Sequence, residues 1–317
     1  MILSSAFASA FLLFGFSFLY GSCGSLYFSE VMKNFTAEPL SVFALGLIII
    51  GFGFKMASVP FHLWAADVYE GAPVPVTAML SVMSKGAAVF AFTGALYRVF
   101  GSTPAVWQPL IVILSASTIL IGNLFAIRQQ NIKRFLAFSS ITQAGYLLLS
   151  LASASNTGNS SIVYFMLMYV FSNIGAFTIA GIISDKTGKE KISDYNGLYR
   201  SNPLLAVVML LALFSLAGIP PTAGFFGKFF LLTAAVKGSP WLFFAVIFAA
   251  LNMVISLYYY LRIVKAMFVD ATDSPMEKIK TSGVMNTAII LCTAGILSAG
   301  FAGKIFDYLD QMSFGLK

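Results

Sequence analysis

The stretch GFGFKMASVPFHLW, Gly51 to Trp64, decides the fold because it places a charged residue inside an apolar run. It follows SVFALGLIII and contains Lys55, the helix breaker Pro60 and the only histidine of the chain, His62. A lysine at the centre of a bilayer costs about 2.5 kcal/mol or more. Such a residue is normally retained beside a polar partner or a wet cavity, so the stretch predicts a functional site within the membrane.

The composition outside this stretch indicates an all-α polytopic membrane protein. The 317 residues are 59% hydrophobic and 10% charged, whereas a soluble domain carries about 25% charge. Spanning segments must satisfy their backbone internally, and no barrel-like alternation is present. The net charge of +7 comes from short loops beside apolar runs, so we expect the lipid bilayer and no nucleic acid as a partner.

No motif in the sequence indicates redox or hydrolytic chemistry on this chain. Cys23 and Cys292 lie in or next to apolar runs, and nothing suggests a disulfide or a metal site. Nucleotide-binding, haem-attachment and serine-triad motifs are also absent from the sequence. Any such chemistry is expected on another chain.

The apolar runs predict nine spans, because about 20 residues cross the hydrocarbon layer. The run 202–236 is too long for one straight helix and contains Pro220 and Pro221, which remove backbone donors. The run 39–65 is interrupted at Pro60. We therefore expect two proline-broken helices. The predicted spans are 6–26, 39–65, 75–99, 107–127, 134–153, 161–184, 202–236, 241–266 and 283–303.

Loop charges predict the orientation, since Lys and Arg accumulate on the cytoplasmic side. One side holds eleven basic residues: Arg128, Lys133, Arg134, Lys186, Lys189, Lys191, Arg200, Arg262, Lys265, Lys278 and Lys280. The other holds five: Lys33, Arg98, Lys237, Lys304 and Lys317. The first side is then cytoplasmic, so the chain starts in the cytoplasm and ends outside.

The remaining basic residues, Lys55, Lys85 and Lys228, lie within three different spans, and two of these spans are the broken ones. A broken helix exposes backbone groups where it lines a wet cavity, and a desolvated lysine can release a proton. We expect these lysines to form a proton path. The alternative is that each lysine extends to the membrane interface, and it is strongest for Lys55.

Three polar residues near the first break have two interpretations each. His62 either passes protons or is a hydrogen-bonded structural residue, with neither favoured. Asp67 and Glu70 are expected in the following loop. They either gather protons at a channel mouth or are solvated carboxylates, and the second interpretation is favoured.

The fifth span carries Ser139, Ser140, Thr142 and Gln143. These side chains could hold water between the lysines or bond neighbouring helices. We favour helix packing for the serines and leave relay and packing open for Gln143.

Three segments resemble the subunit N family of bacterial NADH-quinone oxidoreductase (respiratory complex I). They are Gly51 to Lys85, with DVYEGAPVPV and the SK pair, NIKRFLAFSSITQAGYLL, and SLAGIPPTAGFFGKFFLL. The resemblance runs over essentially the whole chain. The first segment separates this family from subunits of multisubunit cation/proton antiporters.

The resemblance implies an antiporter-like fold of fourteen helices with two inverted five-helix repeats, of which this chain matches helices six to fourteen. Residues 1–106 would hold the last three helices of the first repeat, 107–268 the complete second repeat, and 269–317 a C-terminal loop and helix. The resemblance assigns Lys55 and Lys228 to the broken-helix lysines and Lys85 to the connecting lysine.

The resemblance also implies the function and partners. The chain would be a non-redox membrane-arm subunit of a proton-translocating enzyme in the bacterial inner membrane, assembled with other membrane-arm subunits. It would bind no cofactor itself, because NADH, FMN, iron-sulfur clusters and quinone belong to partner subunits. An antiporter subunit and an incomplete structural fragment are the alternatives.

The sequence departs from the family pattern at three places. A family glutamate that pairs with the lysine matching Lys55 belongs to helix five, which has no counterpart here. Ala66 stands where proline is usual, and Gln143 stands where histidine is frequent. The departure at Gln143 places its relay role in question.

Overall fold

The computed structural model describes residues 2–238, 241–272, 275–301 and 303–312. Helices make up most of this part of the chain, which contains one isolated β-bridge, between Asn131 and Lys191, and no strand. The helices are α1 (Ile2–Cys23), α2 (Phe28–Asn34), α3 (Pro39–Met56), α4 (Leu63–Gly71), α5 (Val74–Met79), α6 (Lys85–Arg98), α7 (Pro104–Arg128), α8 (Ile132–Leu151), α9 (Asn156–Thr187), α10 (Leu198–Ser201), α11 (Pro203–Ala217), α12 (Ala223–Gly238), α13 (Leu242–Phe268), α14 (Gly283–Phe301) and α15 (Gly303–Gln311).

Within the described residues, six helical segments are long and apolar enough to cross a bilayer: α1, α3, the α5–α6 segment Val74–Arg98, α7, α9 and α13. The other predicted spans correspond to α8, to α11 and α12 in series, and to α14. The all-α polytopic prediction is confirmed. Lys317, which the charge count used, lies outside the described residues.

The first broken helix is longer than predicted. α3 ends at Met56, and its C-cap Ala57 has a left-handed backbone with φ 56°. The chain passes Pro60 and resumes as α4, which continues to Gly71 rather than ending at residue 65. The break at Pro60 is confirmed, and the length of the second half was underestimated.

The second broken helix has its gap at the paired prolines, as predicted. α11 ends at Ala217, where Gly218 adopts φ 86°, a left-handed conformation that glycine accepts without steric cost. Pro220 and Pro221 follow, and α12 begins at Ala223. The end of α11 therefore faces the middle of the fold with carbonyl groups that lack partners within their own helix.

α8 is the central helix of the structure. Every residue from Ile132 to Leu151 is buried except Arg134. It packs against α4, α7, α9 and α12. A helix that is buried all round belongs to the interior of a bundle, so polar side chains on α8 have to find partners on the surrounding helices.

A π-helical turn, Leu80–Ser84, lies between α5 and α6, and Lys85 directly follows it. Wide turns of this kind shift the register of a helix and are frequent at functional sites.

The predicted boundary between the first and second repeats, at 106–107, lies inside α7, which begins at Pro104. The predicted end of the second repeat, at residue 268, coincides with the end of α13. The division into inverted repeats stays a prediction.

Candidate functional site

Lys228 is buried at the second break, with 1% of its surface exposed. Its Nζ donates hydrogen bonds to the carbonyl oxygens of Leu216 at 2.7 Å and Ala217 at 3.1 Å. These are the last carbonyls of α11, where the helix dipole is negative and favours a cation. The ammonium group also lies 5.0 Å from the ring centroid of Tyr146. The broken helix thus supplies the polar surroundings that a buried lysine requires.

A glycine allows this contact by bringing two backbones together. A Cβ atom on Gly224 would lie 1.8 Å from the carbonyl oxygen of Ser215, so only glycine fits. The Gly224 amide donates to Ser215 Oγ at 3.0 Å. Lys228 lies four residues further along α12, on the same face of the helix. The close approach at Gly224 therefore sets the distance between Lys228 and the end of α11.

Lys85 is also buried, with 3% of its surface exposed. Its Nζ donates to the carbonyl oxygen and to Oγ of Ser140, both at 2.8 Å. Ser140 lies in the middle of α8. Sequence reasoning favoured a role for this serine in bonding neighbouring helices, and its hydroxyl accepts a hydrogen bond from Lys85 at the start of α6.

Gln143 lies one turn beyond Ser140 on α8 and extends the contacts towards Lys228. Its Nε2 donates to the Leu216 carbonyl at 3.1 Å, the same oxygen that binds Lys228, and to the Tyr260 hydroxyl at 3.3 Å. Ser139 also bonds Tyr260. The structure therefore brings Lys85, Gln143 and Lys228 together along α8, and their functional roles stay predictions.

Lys55 lies apart from this group. It is in the last turn of α3 and its side chain is exposed. Among the described residues it has no hydrogen bond or ion pair. Its functional role therefore also stays a prediction.

His62 is buried at the first break, between aromatic rings. Its ring centroid lies 6.3 Å from that of Phe125 and 6.5 Å from that of Phe138. Neither ring nitrogen has a hydrogen bond of ordinary geometry to a described residue. Neither the relay nor the hydrogen-bonded structural role of His62 is tested by these contacts, and both stay predictions.

Asp67 and Glu70 lie on α4, so their expected placement in a loop is wrong. The reason is that α4 continues the broken helix past the break. Arg134 Nη1 donates to Asp67 Oδ1 and to Glu70 Oε2, both at 2.8 Å. The two carboxylates therefore join α4 to the first turn of α8. Their i, i+3 spacing was the signal for a shared helix face.

Sequence reasoning missed two tyrosines near the lysines. Tyr69 on α4 and Tyr169 on α9 are buried, and Tyr169 lines a small cavity together with Lys228. Neither hydroxyl forms a hydrogen bond of ordinary geometry to the described protein. A tyrosine in an apolar helix resembles an ordinary core residue, so no local signal marked either one.

No metal centre is present in the part of the chain that the structure describes. No group of three or more His, Cys, Asp or Glu side chains converges there. Cys23 and Cys292 are both buried and free. Among these residues, the hydrogen-bond partners of Lys85 and Lys228 are all oxygen atoms of neutral groups.

Residues 1–256 match the family described as NADH:quinone oxidoreductase/Mrp antiporter, TM. The chain belongs to this family. The chain is 50% identical to an NADH-quinone oxidoreductase subunit N from Azobacteroides pseudotrichonymphae. That match covers 99% of this chain and 66% of the relative, so the chain spans somewhat less than two thirds of the relative's length.

Solved structures support the same family fold. A chain of respiratory complex I from Thermus thermophilus with bound Aureothin aligns with a TM-score of 0.81 at 34% identity, covering 97% of this chain and 67% of that chain. A chain of the Mrp complex from Dietzia sp. aligns with a TM-score of 0.88 at 22% identity, covering 98% and 66%. The second match concerns the fold alone.

Proposed function

We propose that this chain is a membrane-arm subunit of an NADH-quinone oxidoreductase and translocates protons, driven by electron transfer from NADH to quinone on other subunits. One observation carries the proposal. Lys85 and Lys228 are buried and held by neutral acceptors on either side of α8: Lys85 bonds Ser140, and Lys228 bonds the Leu216 carbonyl that Gln143 also contacts. No described carboxylate pairs with either lysine, so each can gain or lose a proton without the breaking of a buried ion pair.

The partners and topology of the proposal follow the family resemblance. Other membrane-arm subunits adjoin the chain, and FMN, iron-sulfur clusters, NADH and quinone belong to partner subunits. The side with more Lys and Arg is cytoplasmic in a bacterial inner membrane. The segments 1–106, 107–268 and 269–317 keep the repeat assignment given above.

Lys55 takes the corresponding role in the first half of the fold. Its exposed position is compatible with this role if protein beyond the described residues packs on that face of α3 and supplies a carboxylate. A buried ion pair that loses one partner is strongly destabilised, so Lys55 and that carboxylate would have to become buried together.

The test is purification of the assembled complex by a tag on this chain, followed by reconstitution into sealed vesicles. We expect NADH-driven quinone reduction and a transmembrane pH gradient that an uncoupler abolishes. A complex that exchanges cations for protons without NADH would contradict the proposal and support an antiporter. Wild-type pumping by a fully assembled complex whose Lys228 is replaced by methionine would support the structural-fragment alternative.

A further inference from the structure

An open groove runs along the outside of the bundle between α5, α9 and α14. It has a volume of about 740 Å³, and its lining is mostly apolar. Met79 and Met83 come from α5 and the π-helical turn, Ile174 and Ile182 from α9, and Met285 from α14. Met79 and Met83 keep 60% and 64% of their surface exposed. The groove therefore presents an apolar surface to the surroundings of the bundle.

The groove is about as long as one leaflet of a bilayer is thick. On α9 its lining runs from Ile174 to Asp185, which are eleven residues apart and therefore separated by about 16 Å along the helix. Half of the hydrocarbon core is about 15 Å thick, whereas a spanning helix has to cross about 30 Å. The acyl chain of a lipid in one leaflet therefore fits the groove, and a spanning helix of another protein would extend far beyond it.

Charged side chains mark one end of the groove. Lys133, from the first turn of α8, and Asp185, from the last turn of α9, line it there. Lys133 pairs with Glu190 at 2.7 Å, and Asp185 lies 3.4 Å from Lys186. The other end of the groove is apolar. The groove thus passes from the polar interface into the hydrocarbon layer, as a lipid does.

A second space, the basic pocket, lies beside the charged end. It has a volume of about 300 Å³. Its lining comes from the end of α9 and from the segment before α14: Lys186, Thr187, Glu277, Lys278, Ile279 and Lys280. Three lysines and one glutamate give it a net charge of +2 at neutral pH. Asp185 of the groove and Lys186 of the basic pocket are consecutive residues, so the two spaces lie next to each other at the end of α9.

Hydrogen bonds to Asn202 hold the basic segment in place. Asn202 Nδ2 donates to the Glu277 carbonyl oxygen at 3.0 Å, and the Ile279 amide donates to Asn202 Oδ1 at 2.8 Å. Ile279 also packs against the hydrophobic core. Lys278 and Lys280 flank this anchor, are exposed, and form no ion pair with a carboxylate among the described residues. Both ammonium groups are therefore available to an external anion.

We propose that the groove and the basic pocket together bind one anionic phospholipid in the leaflet that adjoins the Lys- and Arg-rich side. Its acyl chain lies in the groove against Met79 and Met83, and Lys278 and Lys280 bind the phosphate of its headgroup. Basic pockets between membrane helices attract anionic lipid headgroups. The apolar groove favours a lipid over free phosphate, and the length of the groove favours a lipid over a partner helix. The inference concerns lipid binding and does not depend on proton translocation.

Photolabelling of the purified complex tests this site. The probe is phosphatidylglycerol with a diazirine in its acyl chain, added to the complex in phosphatidylcholine nanodiscs. Illumination attaches the chain to adjacent side chains, and mass spectrometry of peptides locates the labels. We expect labels on peptides that contain Met79, Met83 or Met285, and we expect unlabelled phosphatidylglycerol to compete. Glycerol phosphate, which carries a phosphate but no acyl chain, should not compete.

The double variant Lys278→Gln, Lys280→Gln removes the charges of the basic pocket. Its matched control is Lys191→Gln, Lys265→Gln, which removes two exposed lysines of the same predicted side that line neither space. At limiting probe, labelling of the groove should fall about five-fold for each lysine removed from the basic pocket, the effect of one lysine on attraction to anionic lipid. The control should be labelled as wild type.

A second variant changes the groove and leaves the basic pocket intact. Ala78 lines the groove, so Ala78→Trp places a large ring where the acyl chain would lie. We expect it to lower labelling of the groove. If the double lysine variant does not assemble, Ala78→Trp replaces it, and unchanged labelling in Ala78→Trp overturns the inference.

Four other results would overturn the inference. They are wild-type labelling in the double lysine variant, an equal loss in its control, competition by glycerol phosphate, and absence of groove labels in the wild-type complex. The last result would indicate that another protein covers this face. NADH-driven pumping, measured on the same preparations, tests the proposed function separately, because photolabelling requires no electron transfer.

Discussion

Gly224→Ala should disable the second broken helix without altering a titratable group. The added Cβ would lie 1.8 Å from the Ser215 carbonyl oxygen, and ordinary contact begins at 3.4 Å. α11 and α12 must therefore separate by about 1.6 Å, the difference of these distances. The distance from Lys228 Nζ to the Leu216 carbonyl would grow from 2.7 Å to about 4.3 Å, beyond hydrogen-bond range. Overpacking of this kind costs about 1–3 kcal/mol.

The assay is NADH-driven acidification of vesicles that contain the assembled complex, with thermal stability measured on the same preparation. The control is Gly94→Ala on α6, where an added Cβ would meet no atom within 4 Å. We expect lower stability and reduced pumping in Gly224→Ala and little change in Gly94→Ala. Wild-type pumping by a fully assembled Gly224→Ala complex would refute the argument that this close approach positions Lys228.

Three further predictions concern other contacts. Lys85→Met keeps the apolar stem and removes both bonds to Ser140, so the complex should assemble but pump poorly; normal pumping would exclude Lys85 from the path. Arg134→Gln breaks two partly exposed ion pairs between α4 and α8, so it should lower the free energy of unfolding by less than about 1 kcal/mol per pair. The loss, measured by chemical denaturation, should shrink at high salt. A larger loss that does not depend on salt would contradict this. Burial alone would raise the pKa of Glu190, but hydrogen bonds from Lys133, Ser184 and Asn131 hold that pKa below 4.5. Its stabilising effect is present above pH 4.5 and is lost as the pH falls through the lower folded value. Glu190→Gln should therefore narrow the difference in melting temperature between neutral and acidic pH, and an unchanged difference would contradict this.

The sequence predicted the features that depend on the cost of burying polar groups. Apolar runs located the helices, Pro60 and the pair Pro220–Pro221 located both breaks, and two of the three internal lysines, Lys85 and Lys228, proved buried and bonded to backbone carbonyls. These outcomes follow because unpaired backbone groups and charges are excluded from hydrocarbon.

The remaining features depend on packing between distant segments. The exposure of Lys55 reflects which elements lie on its face of α3, and no local pattern encodes that. The pairing of Asp67 and Glu70 with Arg134 was missed because α4 is a nine-residue helix after a break and resembled a loop. The position of Tyr169 at the small cavity beside Lys228 depends on how α8, α9 and α12 meet.

Proton pumping by Lys228→Met, compared with Lys237→Met, tests the central claim most directly. Both lysines lie on α12, but Lys228 is buried at the end of α11 and Lys237 is exposed. Methionine keeps the apolar stem in both variants, so only the buried variant loses a charge inside the fold. The account predicts a strong loss of NADH-driven pumping in Lys228→Met and wild-type pumping in Lys237→Met. Equal pumping by the two assembled variants would contradict it.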